Sequence, residues 1–113
     1  METISTEKGL ISIVDDRNLL IRDGSSFLEV LYSASSPTLA FRKEHFPPSF
    51  FDLKSGLAGD ILQKVSNYRV RLIILGDFEN IPGKSLRDFI YESNRTGRVI
   101  FTDDMSNAVK LLK

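Results

Sequence analysis

Three groups of residues in this chain could do chemistry. The first is Ser55, which opens the run SGLAGDILQKVSNY, where Gly56 and Gly59 precede helical apolar spacing. A hydroxyl at a helix amino terminus lies beside free backbone N–H groups and the positive end of the helix dipole, so a phosphate added there is favoured. A glycine directly after it removes the Cβ that would hinder a kinase or a partner backbone. The same serine also suits an ordinary N-cap, with both glycines allowing tight packing of helix on sheet. Glycine in a helix interior costs roughly 1 kcal/mol relative to alanine and less in the first turn, so either reading accommodates the pair.

The second group is Asp15, Asp16 and Asp77. ISIVDD and LIILGD place them after two strand-like runs, a pattern that resembles the magnesium-binding acidic pocket of a phospho-receiver domain. A receiver needs a helix after the paired aspartates, whereas Leu19–Ile21 reads as a strand. No lysine closes the fifth strand, where Thr102-Asp103 stands instead. A hairpin of Leu10–Val14 with Leu19–Ile21 would put Asp15-Asp16 and Asp77 at opposite sheet ends. Turn and cap chemistry then accounts for all three, and neither metal nor cofactor is expected.

The third is His45, the single histidine, in RKEHFPP. Glu44 and Asp52 could in principle assist acid–base work beside it, but no serine or cysteine partner is evident, and a structural or merely exposed histidine is expected. Phe46, Phe50 and Phe51 read as core plugs around Pro47-Pro48. Arg69, Arg71, Arg95 and Arg98 read as a solvated rim near strand starts, not a nucleic-acid stripe. Neither GxGxxG nor GxxxxGK[ST] occurs.

The elements that would position these groups follow from periodicity. Leu10–Val14 and Leu19–Ile21 read as strands joined by the turn-like DDRN, which favours an antiparallel hairpin. Ser26 with Glu29 forms a capping box for a helix burying Phe27, Val30, Leu31 and Ala34. TLAFR (38–42) is a strand, HFPPSFFDL an irregular crossover with a turn of 3₁₀ helix, and VRLIIL (70–75) a central parallel strand. A helix on Leu57, Ile61, Leu62, Val65 and Tyr68 lies between them. Another carries Leu86, Phe89 and Ile90. Val99–Phe101 is the fifth strand, and Asp103, Asp104 or Ser106 caps a last helix. The result is one α/β domain over residues 1–113, with a mixed five-stranded sheet, one antiparallel hairpin and four helices. Residues 1–8 read as a loose end.

Composition sets the outer bounds. With 42% hydrophobic and 27% charged residues, the chain is ordinary for a globular domain. Lys plus Arg equals Asp plus Glu at 15 each, so no global field recruits nucleic acid or an anionic membrane. The absence of cysteine removes disulfides, thiolate zinc sites and cysteine nucleophiles, and fits a reducing cytoplasm. No segment approaches the ~20 apolar residues that span a bilayer, and the amino terminus lacks a signal-peptide pattern. A cytoplasmic location is expected.

The element order resembles that of the STAS domain, the sulfate-transporter and anti-sigma-factor antagonist module. Ser55-Gly56-Leu57 matches the Ser-Gly-Leu of the antagonists' phospho-acceptor motif. Asp52 stands three residues before the serine where that motif has two, and Ala58 separates Leu57 from Gly59. FFDLKSGLAGDILQKVSNYRVRLIILGDF and SLRDFIYESN are similar to a small bacterial family, domain-of-unknown-function family 4180, over most of the chain. That family supplies no activity. The STAS resemblance implies a non-catalytic regulatory module that binds a signalling protein such as an anti-sigma-type kinase. Its phospho-acceptor would be Ser55, and its partner surface would include Asp52, Lys54, Gly56, Gly59 and Asp77. The alternative is a small-molecule-binding or enzymatic domain using the crevice near Ser55, Gly76 and Asp77.

Overall fold

The chain begins with a hairpin that the apolar pattern alone did not reveal. In the computed structural model, which describes residues 1–113, β1 (Glu2–Thr6) pairs antiparallel with β2 (Gly9–Ile13). Gly9 closes their turn at φ +102°, a conformation that favours glycine. The first eight residues are therefore not a loose end. ETIST holds one apolar residue, Ile4, and an edge strand with one face on the core needs no more.

Leu19–Ile21, expected as the hairpin partner, is not a strand. Its chain passes over the carboxyl end of β3, with Ile21 fully buried and its N–H donating to the His45 carbonyl at 2.7 Å. The segment must leave the sheet here to begin the first crossover helix. Beyond this exchange of partners, the mixed five-stranded sheet with one antiparallel hairpin and four α-helices is present.

The remaining strands, β3 (Thr38–Arg42), β4 (Arg71–Leu75) and β5 (Val99–Thr102), follow β2 in parallel and in sequence order. Each step moves the same way across the sheet, so right-handed crossovers must put every connecting helix on one face. α1 (Gly24–Ser33), α2 (Leu57–Asn67) and α3 (Lys84–Thr96) do pack there, through Phe27, Val30, Ala58, Ile61, Val65 and Ile90. The opposite face is covered by α4 (Met105–Leu111), whose Ala108 and Val109, with Leu112, cover Ile11, Ala40, Ile73 and Ile100.

Local caps were shifted by tertiary contacts. α1 starts at Asp23, not Ser26: the Asp23 carboxylate accepts the Ser26 N–H at 2.8 Å, and the Ser26 hydroxyl accepts the Asp23 N–H at 3.1 Å. From α2, Asp60 accepts the Gly24 N–H at 2.7 Å and so anchors that earlier turn. At the other end of α2, Val70 N–H donates to Val65 C=O and Arg69 N–H to Ser66 C=O. This is a Schellman closure, and its left-handed residue is Arg69 at φ +54°. Glycine usually fills that position, because a Cβ there costs about 1–2 kcal/mol.

Candidate functional site

The loops after β2, β3 and β4 meet at the carboxyl end of the sheet, where α/β proteins generally carry chemistry. Because β2 runs parallel to β4, Asp15-Asp16 and Asp77 lie at this same end, not at opposite ends. With β3 between their strands, two strand spacings or about 10 Å part them. Each closes its own turn: Asp16 Oδ1 accepts the Asn18 N–H and Asp77 Oδ1 the Glu79 N–H, both at 3.0 Å. No three histidine or carboxylate side chains of the chain converge as a metal site.

His45 is 3% exposed. Its Nδ1 accepts the Arg42 N–H and its Nε2 donates to the Asp16 carbonyl, both at 2.9 Å. An accepting Nδ1 requires the proton on Nε2, so both nitrogens are spent in one neutral tautomer. The imidazole thus ties the 15–21 loop to the end of β3, and its edge meets the Phe41 ring at 5.8 Å. Lone histidines in sequence carry no sign of such backbone partners.

All eight phenylalanines of the chain form one line of rings beneath these loops. Phe27 touches Phe41, then Phe46, Phe50, Phe51, Phe78 and Phe101 follow, with Phe89 against Phe101. Centroid separations run from 4.5 to 6.2 Å, the range of favourable aromatic pairs. Lys43 closes the line from above. Its Nζ lies 5.1 Å from the Phe78 centroid and 5.7 Å from that of Phe51, and donates to the Asp77 carbonyl at 3.0 Å. Gly76 makes room for it, since a Cβ there would stand 2.7 Å from the Lys43 Cβ. Rings and an ammonium stem therefore fill the helix-covered side of the space beyond Leu75, while the α4 side stays open along Leu75 and Gly76. Strand order also never reverses, so the sheet has no switch point to open a crevice. Lys43 had no motif to mark it.

Ser55 lies outside that filled region. It ends a 3₁₀ turn (Leu53–Ser55) whose cap is the Asp52 carboxylate, which accepts the Lys54 N–H at 3.2 Å. Gly56, at φ +83°, is the N-cap of α2, one residue after Ser55. The serine is exposed; its hydroxyl donates to the Ser49 carbonyl and accepts the Leu57 N–H at 3.2 Å. Asp52, Lys54, Gly56 and Gly59 are exposed around it, and Asp77 is exposed on the β4 loop. A Cβ built on Gly56 or Gly59 would meet nothing within 4 Å. Close helix-to-sheet packing therefore does not explain either glycine. Gly56 is explained by its left-handed backbone, while Gly59 faces open solvent.

Two further features were not assembled by sequence reading. On the face held by α4, a groove of about 660 Å³ runs along Ile4, Ile13, Leu75 and Met105, rimmed by Arg42 and Glu44. At the amino end of the strands, Arg69, Arg71 and Arg98, expected as a solvated rim, join Lys113 around a cavity of about 460 Å³. No helix is long and apolar enough to cross a membrane. Comparison with curated proteins and with solved structures returned no significant match. The profile of DUF4180, a domain of unknown function, matches residues 6–112, and the chain therefore belongs to that family.

Proposed function

We propose that this domain is a non-catalytic regulatory module that docks a protein partner over the amino end of α2, with Ser55 as a phosphorylation switch. One observation carries the reading: Gly59 is an exposed glycine one helical turn from Ser55, with no internal contact that requires it. A helix glycine without an internal reason leaves a bare backbone that a partner can approach closely. Ser55, Gly56 and Gly59 form one accessible surface, and Lys54 beside them sets a positive edge. The resemblance of Ser55-Gly56-Leu57 to the phospho-acceptor motif of STAS antagonists points to an anti-sigma-type kinase or related signalling protein as the partner class. A phosphate would add roughly −1.5 to −2 charges at a helix end that tolerates them, so the fold survives while a charge-excluding interface does not.

The test has two arms. Intact mass and fragment mapping of protein purified from its native host should place phosphate on Ser55. Ser55→Asp should keep the far-ultraviolet circular dichroism spectrum and lose the partner that wild type and Ser55→Ala both capture. Unmodified Ser55 under all growth conditions, with equal capture by Ser55→Asp, would leave the serine as a plain turn residue.

A second reading, small-molecule binding, is favoured by the groove on the α4 face, whose volume lies within the range of ligand sites. It would take an apolar ligand over Ile13 and Leu75, with Arg42 holding a polar end. Arg42→Ala would then abolish ligand-induced stabilisation while leaving capture at the α2 surface intact.

A further inference from the structure

The amino ends of the parallel strands gather positive charge that no aspartate or glutamate side chain pairs. Pro37, Arg69, Arg71, Thr96, Arg98 and Lys113 line a cavity of about 460 Å³ in which Pro37 is the one apolar side chain. The three ion pairs of the molecule are Lys64–Asp60, Lys84–Asp88 and Arg95–Glu92, so none of these four cations is paired with an aspartate or glutamate side chain. An overall charge of zero conceals this, because the acids Asp15, Asp16, Glu44, Asp77 and Asp103 follow the other ends of the strands.

Cations near helix carboxyl ends can simply offset the helix dipole. Here that role is already taken at α4, where Lys8 Nζ donates to the carbonyls of Val109, Lys110 and Leu112. The last turns of α2 and α3 likewise hold Lys64 and Arg95, whereas the cavity cations converge on one space. Arg71 is fixed by three bonds, Nε to Thr38 Oγ1, one terminal nitrogen to the Lys113 main-chain oxygen and the other to the Lys8 carbonyl. A guanidinium has five N–H donors, so two remain on an immobilised fork. Arg69 supplies the second, independent observation. It occupies the left-handed position of the α2 closure, where glycine is the usual residue, and its side chain lines the cavity. A strained residue persists where something other than local backbone preference selects it.

We infer that this cavity binds a compact multivalent oxyanion carrying two phosphoryl groups, held by Arg69, Arg71, Arg98 and Lys113. Guanidinium forks match phosphoryl oxygens in pairs, and the volume exceeds one phosphate. The lining offers no aromatic ring and, beyond Pro37 and the stems of its polar side chains, no apolar surface, so recognition rests on the anion.

Titration calorimetry of the whole chain with pyrophosphate, inorganic phosphate and ADP tests this at about 100 mM chloride, where solvent-exposed charges are largely screened beyond roughly 10 Å. One saturable pyrophosphate site per chain is expected, at least about tenfold tighter than phosphate, with ADP no tighter than pyrophosphate. Arg69→Gly relieves the left-handed strain, so the unliganded protein should melt higher while pyrophosphate affinity falls at least about tenfold. Arg98→Gln should weaken it similarly. The inference is overturned by an absence of saturable binding, by equal affinity for phosphate, or by ADP binding more than about tenfold tighter than pyrophosphate. Unchanged affinity in both variants of a protein that still melts cooperatively would also overturn it.

Discussion

Gly56 and Gly59 stand three residues apart at the start of α2, and the structure assigns their alanine variants opposite signs. Gly59 lies in the first helical turn and points at solvent, with nothing within 4 Å of an added Cβ. Alanine there should stabilise by about 0.5–1 kcal/mol, from helix propensity and the smaller freedom of the unfolded chain. Gly56 also has open space around it, but its φ of +83° puts an L side chain in the left-handed region. Alanine there should destabilise by about 1–2 kcal/mol. The two variants therefore differ by roughly 2 kcal/mol although they add the same methyl group to the same surface. Urea denaturation followed by far-ultraviolet circular dichroism suits a chain without tryptophan. An unchanged m-value with the midpoint raised for Gly59→Ala and lowered for Gly56→Ala is expected. A melting shift of about 3–6 °C per kcal/mol should accompany it. Loss of stability in Gly59→Ala would mean that the glycine has an internal role, and would remove the observation on which the docking surface rests.

Two other perturbations probe the loops. His45→Ala strands the Arg42 N–H and the Asp16 carbonyl and opens a hole beside Phe41; it should cost about 2–4 kcal/mol, and amide exchange should speed up first across residues 15–21. For pH, the Asp23 carboxyl is held below its ordinary value by the Ser26 backbone N–H and then by the Ser26 hydroxyl. A depressed folded value means that its contribution is complete above the ordinary carboxylate range and is lost as pH falls through the folded value. Asp23→Asn keeps a capping side chain without the charge, so its urea midpoint should fall less than that of wild type between pH 7 and pH 3. An equal fall would place the acid sensitivity elsewhere.

Much of the architecture is legible in linear pattern because it follows from local periodicity. VRLIIL, TLAFR and the apolar spacing of LAGDILQKVSN each fix an element type, and their alternation implies a parallel sheet. Ser55 next to a helix start is likewise a local property. The hairpin was misassigned because ETIST has too little apolar content to announce itself, while LLI mimics a strand that its neighbours do not let it form. That one exchange reversed the direction assigned to Leu10–Val14 and with it the placement of Asp15 and Asp16. Side-chain roles depended still more on distant partners. His45 is defined by backbone groups of Asp16 and Arg42, Lys43 by two rings and a carbonyl, and Gly24 by a carboxylate on another helix. The basic residues Arg69, Arg71, Arg98 and Lys113 are spread over 45 positions and share a cavity because parallel strands bring their starts to one edge. Periodicity is set by each residue's own neighbours along the chain, whereas a site is set by which ends the crossovers bring together, and that is decided only when the sheet closes.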